Sequence, residues 1–194
     1  MVHIGDSTSD GLISRDYLPD SRQRIPARYA AVGVRGVHME VVGGTSIVEE
    51  YKNQPNAYKV AQRYRASRYN GCWVIALGTN DTADVAVGSN VGLAERIQRM
   101  MSVIGSQPVL WVTVKSLLSS GPYSEHDMWL WDQALYAAAG KYPTMRVYDW
   151  ASVVQDPWFI SDKIHFTSAG YAARGELIAD ALAAAFPASS APRG

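Results

Sequence analysis

The chain predicts an α/β protein, a five-stranded parallel sheet between two layers of helices. Three observations lead there. Five short apolar runs (2–4, 37–42, 72–77, 108–114 and 145–148) alternate with stretches of helical apolar spacing. Strands that alternate with helices need crossover connections, and these make the strands parallel. The run Cys72-Trp73-Val74-Ile75-Ala76-Leu77 is continuous in apolar residues, the pattern of a strand covered on both faces. The first three runs also end in turns rich in Gly, Ser, Thr and Asn. In a doubly wound sheet of the flavodoxin-like order 2-1-3-4-5 those turns are neighbours at the switch point, where open parallel sheets bind ligands. The expected architecture is therefore a three-layer α/β/α sandwich.

Each element has its local reason. After the first strand, residues 22–34 read as a helix with Ile25, Tyr29, Ala30 and Val34 inward, Pro26 being tolerated in the first turn. The second strand ends in Gly43-Gly44-Thr45-Ser46, and a helix over about 57–67 presents Arg63, Arg65 and Arg68 to solvent. The third strand ends in Gly78-Thr79-Asn80-Asp81. A helix over 91–104 then carries Leu93, Ile97, Met100, Met101 and Ile104 on one face. Strand four is followed by a Ser/Gly/Pro loop over 116–124 and an aromatic helix over about 125–140. The fifth strand is short. The last helix runs from a Ser168 cap to about 186, with Tyr171, Leu177, Ile178, Ala181, Leu182 and Ala185 inward.

Composition narrows the function. With 194 residues and 47% hydrophobic residues, the chain is long enough for one well-buried core, and it is read as a single domain over 1–186 with a disordered tail over 187–194. Its formal net charge of +0 gives no basic excess for nucleic acid or an anionic membrane. Cys72 is the one cysteine. It forms no intrachain disulfide and no thiolate metal site, and its apolar strand makes it a buried structural thiol. No run reaches the ~18 apolar residues of a membrane span, and no signal peptide is seen. The first strand begins almost at Met1, which fits a cytoplasmic enzyme or a domain of something longer.

Scattered polar signals converge on acyl chemistry. Ser7 follows the first strand at Gly5-Asp6-Ser7, where a helix can start and its N–H groups favour developing negative charge. Acyl transfer needs a nucleophile, a base, an orienter and oxyanion donors. Ser7 supplies the hydroxyl, His165 takes its proton, and Asp162 orients the imidazole from three residues away. The Ser7 N–H, a glycine N–H from Gly43 or Gly44, and the Asn80 amide supply the donors. Asp6 braces its own turn, and Asp81 is a structural acceptor below Asn80. Asp149 and Asp156 rival Asp162 only without its fixed short spacing. His3, His38 and His126 are read as structural or surface groups. No Gly-x-Ser-x-Gly elbow, phosphate-binding glycine loop or His-Glu-x-x-His motif occurs.

Gly5-Asp6-Ser7, the glycine after the second strand, Gly78-Thr79-Asn80-Asp81 and Asp162-x-x-His165 resemble, in order and over nearly the whole chain, the four blocks of the GDSL/SGNH hydrolases. Gly-Asp-Ser-Thr stands where that family has Gly-Asp-Ser-Leu. The resemblance implies esterases, lipases, thioesterases and glycan deacetylases with Ser, Gly, Asn and His in the roles above. It implies a flavodoxin-like sandwich that needs no metal or cofactor; the glycine pair leaves both Gly43 and Gly44 open as the donor, with Gly43 preferred. Asp-x-Ile-His-Phe-Thr-x-x-Gly-Tyr is further similar to domains fused to bacterial membrane acyltransferases that modify cell-envelope glycans. That implies a domain outside the cytoplasm, acting on O-acyl groups of a carbohydrate; a monomer is expected. Aromatics near the site fit sugar or acyl chain: Trp150, Trp158 and Phe159 before His165, and Trp129 and Trp131 after strand four. Half or more of these are expected to pack the core. Thr45 and Trp158 are the expected substrate contacts, Trp158 as a stacking face. A lipase-like esterase or thioesterase, and an idle glycan-binding domain, are the competing readings.

Overall fold

The computed structural model describes residues 1–187. Strands β1 (Val2–Gly5), β2 (His38–Val41), β3 (Trp73–Ala76), β4 (Val109–Val112) and β5 (Met145–Tyr148) form one sheet, order β2-β1-β3-β4-β5. Every neighbouring pair is parallel, as the alternation of elements predicts. Helices α1 (Ser7–Asp10), α2 (Ile25–Ala31), α3 (Ala57–Ala66), α4 (Thr79–Ala86), α5 (Leu93–Ile104), α6 (Glu125–Ala139) and α7 (Ser168–Ala185) connect them.

The sheet divides the core in two. Trp73 and Ile75 of β3 join Val2, Ile4, Val109 and Trp111 in a cluster closed by Val60 of α3, Ile97 and Met100 of α5, and Leu135 of α6. Val74 and Ala76 join Leu110 and Val112 in the opposite cluster, closed by Tyr29 of α2, Ile178 of α7 and Trp150. Successive strand residues feed opposite layers. Burying each large side chain contributes about 1.5–3 kcal/mol.

Four local expectations are corrected. The helix expected over 22–34 is a 3₁₀ turn, Ser21–Gln23, followed by α2. Asp20 caps the turn through Arg22 N, and Ile25 N–H is taken by Leu12 C=O, which separates the two pieces. Helix α4 is not foreseen by the periodicity, because its sequence TNDTADVA is poor in helix formers. It forms where Asp81 meets buried partners. Thr167 rather than Ser168 caps α7, accepting from Gly170 N at 3.2 Å. Cys72 is half-buried and free, at the edge of β3 rather than inside the core.

No helix among the described residues is long and apolar enough to cross a membrane. The expected tail lies, apart from Pro187, outside the described residues.

Candidate active site

The C-terminal ends of β1, β2 and β3 meet in one cavity of about 550 Å³, lined by Ser7, Gly43, Gly44, Asn80 and His165 among others. The order of the sheet makes this meeting obligatory, because β1 lies between β2 and β3.

Ser7 stands in the first turn of α1, whose N-cap is Asp6. One Asp6 carboxylate oxygen accepts from Thr8 N at 2.9 Å and from Thr8 Oγ1 at 2.7 Å, which braces the turn. Full burial raises the Asp6 pKa against those two bonds. Tyr171 of α7 donates its hydroxyl to Ser7 C=O at 3.3 Å, tying the Ser7 backbone to the last helix.

His165 reaches the cavity from the segment before α7. Phe159 and Phe166 pair in an isolated antiparallel bridge, and Ile160 N–H donates to His165 C=O, so the segment is a small hairpin. Its Nε2 lies 2.8 Å from Ser7 Oγ, and its Nδ1 lies 2.7 Å from Asp162 Oδ2. The other Asp162 oxygen accepts from Ile164 N and His165 N, both at 2.9 Å. Partial desolvation pushes the Asp162 carboxyl up, but these two N–H bonds and the imidazole outweigh it, and its pKa falls below the ordinary value. Lys163, inside this turn, has φ 64, a left-handed conformation that costs a non-glycine residue free energy and recurs at functional sites.

The two glycines differ. A Cβ on Gly43 would sit 3.5 Å from Asp10 Oδ2 and 3.7 Å from Ser7 Cβ, so this residue packs beside Ser7. Gly44 has φ 80, and a Cβ there would run into the Tyr51 ring. It shapes the turn, and a side chain there is excluded twice over.

Asn80 enters on α4, which starts at Gly78 with φ 142 and no side-chain cap. A Cβ at Gly78 would strike the Trp131 indole, so only glycine lets β3 pass into this helix. Asn80 Nδ2 donates to Thr45 C=O at 3.0 Å. That bond uses one amide proton, leaving the second for the cavity that Asn80 lines.

Below Asn80, Asp81 is the structural acceptor the sequence suggested, but it belongs to a network around Arg96 and Glu49 that sequence reading missed. Arg96 of α5 is fully buried. It donates to Glu49 Oε2 at 2.5 Å and Oε1 at 2.6 Å, to Asp81 Oδ1 at 3.0 Å and to Val91 C=O at 2.9 Å. Asp81 Oδ1 also accepts from Ile47 N at 2.9 Å, joining the loop after β2 to the start of α4. Desolvation pulls Glu49 upward, but the Arg96 and Ser89 bonds carry it down to about 2. Desolvation pushes Asp81 up to about 7, and desolvation with Glu49 beside it pushes Asp84 up to about 6. One signal of Arg96 was present. It stands between Leu93, Ile97 and Met100 on the apolar stripe of α5, where a charge must find buried partners.

Two expected contacts fall elsewhere. Trp158 stacks on Trp150, ring centroids 5.9 Å apart at 16°, and does not line the cavity. Thr45 is buried and its carbonyl anchors Asn80, so it supports the site from behind. The aromatic walls are Tyr51 and Tyr123, which sequence reading did not single out. Trp131, Trp150 and Phe159 are buried in the core, as the larger share of these aromatics was expected to be. Gly43, Gly44, Ser7, Asn80, Asp162 and His165 are brought together.

This is the SGNH-hydrolase fold, and solved structures share it. An aryl esterase from M. smegmatis superposes with a TM-score of 0.74 at 19% identity over 95% of this chain and 98% of the other. The C-terminal catalytic domain of Streptococcus pneumoniae peptidoglycan O-acetyltransferase A, carrying a methylsulfonyl adduct, gives 0.67 at 16% identity over 95% and 90%. A carbohydrate acetylesterase from Sinorhizobium meliloti gives 0.65 at 20% identity over 95% and 98%. No family model and no curated protein sequence matches the chain. The likeness is one of fold.

Proposed function

We propose that this chain is a GDSL/SGNH-type serine ester hydrolase or transacylase acting on short O-acyl esters of a carbohydrate. The observation that carries the reading is the unbroken chain Ser7 Oγ, His165 Nε2, His165 Nδ1, Asp162 Oδ2, with links of 2.8 and 2.7 Å, opening into the cavity that Gly43 and Asn80 line. Its geometry fits a nucleophile, a general base and an orienter.

Ser7 Oγ attacks the acyl carbonyl carbon while His165 Nε2 takes the hydroxyl proton. Asp162 accepts from Nδ1–H and steadies the imidazolium. The tetrahedral oxyanion receives the Ser7 N–H, the Gly43 N–H and the free Asn80 amide proton. The C–O bond to the leaving alkoxide then breaks, and His165 returns the proton to that oxygen. Water, or an acceptor hydroxyl in a transacylase, loses its proton to His165 and attacks the acyl-enzyme, which releases Ser7. An imidazole serves as base only in its neutral form.

The short-acyl and carbohydrate reading rests on the walls. Ser46, Glu49, Lys52 and Asp84 stand beside Tyr51 and Tyr123, so the cavity offers hydroxyl partners and ring faces rather than a continuous apolar groove. Each buried CH₂ of a longer chain would contribute only about 0.8 kcal/mol, and only where shelter continues. The likeness to a carbohydrate acetylesterase and a peptidoglycan acetyltransferase domain supports the same choice. The chain is read further as a monomeric extracytoplasmic domain that works with a membrane acyltransferase on cell-envelope glycans; the Asp-x-Ile-His-Phe-Thr-x-x-Gly-Tyr resemblance and the likeness to the acetyltransferase domain support the acyltransferase part of that reading.

The test is a series of p-nitrophenyl esters from acetate to decanoate, then an O-acetylated glycan. We expect kcat/KM to peak between acetate and butyrate. A steady climb to decanoate would transfer the assignment to a lipase-like esterase, and no turnover of any ester would leave the idle glycan-binding reading.

A further inference from the structure

A second cavity, of about 290 Å³, opens beyond the C-terminal ends of β4 and β5. Its walls include Lys115, Trp129, Asp132, Gln133, Tyr136 and Asp149, and it shares no lining residue with the Ser7 cavity. The loop after β4 divides the two. Tyr123 faces the Ser7 cavity, while Lys115 and Glu125 at the loop's two ends line the second.

Its aromatic wall stands out from the rest of the molecule. Trp73, Trp111, Trp131 and Trp150 are fully buried, whereas Trp129 is 53% exposed and Tyr136 is 40% exposed. The His126 ring stacks beside the Trp129 ring, centroids 5.9 Å apart at 21°. The polar wall is unusual too. Asp132 is only 5% exposed and yet lines the cavity. Its Oδ1 accepts from Val114 N at 3.0 Å, and that is the hydrogen bond the described residues give its carboxyl. Burial, then the charge of Asp149, push this carboxyl up to about 8, so at neutral pH it holds a proton it can donate. Lys115 is already paired with Glu125, so little free positive charge is left to attract an anion.

An indole face beside planar groups that both donate and accept matches a pyranose ring. The axial C–H face of the sugar stacks on the aromatic ring while its rim of hydroxyls takes the hydrogen bonds. An apolar ligand would offer nothing to the Asp132 oxygen that Val114 does not reach, and an anionic one would meet Asp149. We propose that this cavity is a second saccharide-binding site, taking an uncharged pyranose unit on Trp129 with Asp132, Gln133 and Asp149 as its polar partners. It opens on the same sheet edge as the Ser7 cavity, so an oligosaccharide held here is presented beside the ester site.

The test uses the wild-type protein and two oligosaccharides without ester groups, cellohexaose and chitohexaose, followed by tryptophan fluorescence and amide chemical shifts. We expect saturable binding of at least one, with shifts at the Trp129 indole and at the amides of Lys115, Ala151 and Ser152. Trp129→Ala and Asp132→Leu should each weaken it by about tenfold or more. Asp132→Asn, which keeps a donor, should stay within about threefold. All three variants should retain wild-type kcat/KM on p-nitrophenyl acetate. Absence of saturable binding, shifts confined to residues around Ser7, or an unchanged affinity in Trp129→Ala overturns the proposal. The shift map needs no variant to fold, and no ester is turned over in the titration. Failure of the esterase reading would therefore leave this test intact.

Discussion

The two strand ends that face each other across the cavity are supported from behind in different ways. Asn80 rests on paired charge: buried Arg96 holds Glu49 through both carboxylate oxygens and Asp81 through one. Ser7 rests on packing. Behind it His3, Asp6, Ser9 and Arg174 are all buried, yet His3 Nε2, Asp6 Oδ2, Ser9 Oγ and Arg174 Nε find no hydrogen-bond partner among the described residues. Arg174 lies over Trp150 at 4.9 Å and Phe166 at 5.4 Å, so aromatic faces contact the guanidinium directly, while the Asp6 carboxyl acts on it without an ion-pair contact. Burial and then Arg174 bring His3 down to about 3, which leaves it neutral and bonded to Tyr29 through Nδ1 at 2.7 Å. The contrast teaches that the Asn80 side rests on direct ion pairs, whereas the Ser7 side rests on packing with Asp6 and Arg174 interacting only at longer range.

Substitutions can break that contrast. The largest effect is expected at Arg96→Leu, which strands Glu49 and Asp81 without their cation. Removing one partner of a buried pair costs about 3–5 kcal/mol, measurable by urea unfolding, and a loss below about 1 kcal/mol would show that the network does not support the fold. Next comes Asn80→Ala. With the network below it intact, the fold should hold while kcat falls roughly 10²–10³-fold, about 3–4 kcal/mol, at nearly constant KM. A drop in thermal stability with kcat preserved would make Asn80 a structural amide.

A smaller effect is expected at Asp132, whose pKa is raised to about 8. The folded protein holds that proton more tightly than the unfolded chain. Its contribution is therefore full below the ordinary carboxylate range and is lost as pH rises toward 8. Asp132→Asn keeps the oxygen that accepts from Val114 and escapes this loss. Its unfolding free energy should exceed wild type by on the order of 1–2 kcal/mol at pH 8 and match it near pH 4. A difference independent of pH would contradict the sign. The smallest effect is expected at Arg174→Met, which replaces a poorly bonded buried cation by an apolar side chain of similar length. Stability should change by about 1 kcal/mol or less, and a cost above about 3 kcal/mol would mean that both sides of the site are ionic.

What could be read from the sequence follows from which forces act locally. Apolar runs and their alternation with helices are local, and they give the strands and the order β2-β1-β3-β4-β5. Ser7, Asn80, Asp162 and His165 were legible as strand-end and loop signals because the order of a parallel sheet makes distant turns neighbours. Helix α4 was not, since no local propensity favours it and Asp81 finds its partners on α5 and in the loop after β2. The burial of Arg174 was hidden in the same way, although it continues the inward stripe of Tyr171, Ile178 and Leu182 at helical spacing. The aromatic walls, Tyr51 and Tyr123, sit in loops, where no periodicity marks which side chain faces the site. Trp158, by contrast, was expected at the mouth and is drawn to the stack with Trp150.

The central claim is that Ser7 Oγ is the reacting nucleophile, activated by His165. A serine-directed phosphonate, followed by intact mass and peptide mapping, tests it most directly. One adduct should form on the peptide that carries Ser7. Labelling should vanish in Ser7→Ala and fall close to zero in His165→Ala, while Asp162→Asn labels more slowly. An adduct that persists in Ser7→Ala, or that maps to another serine, would contradict the account.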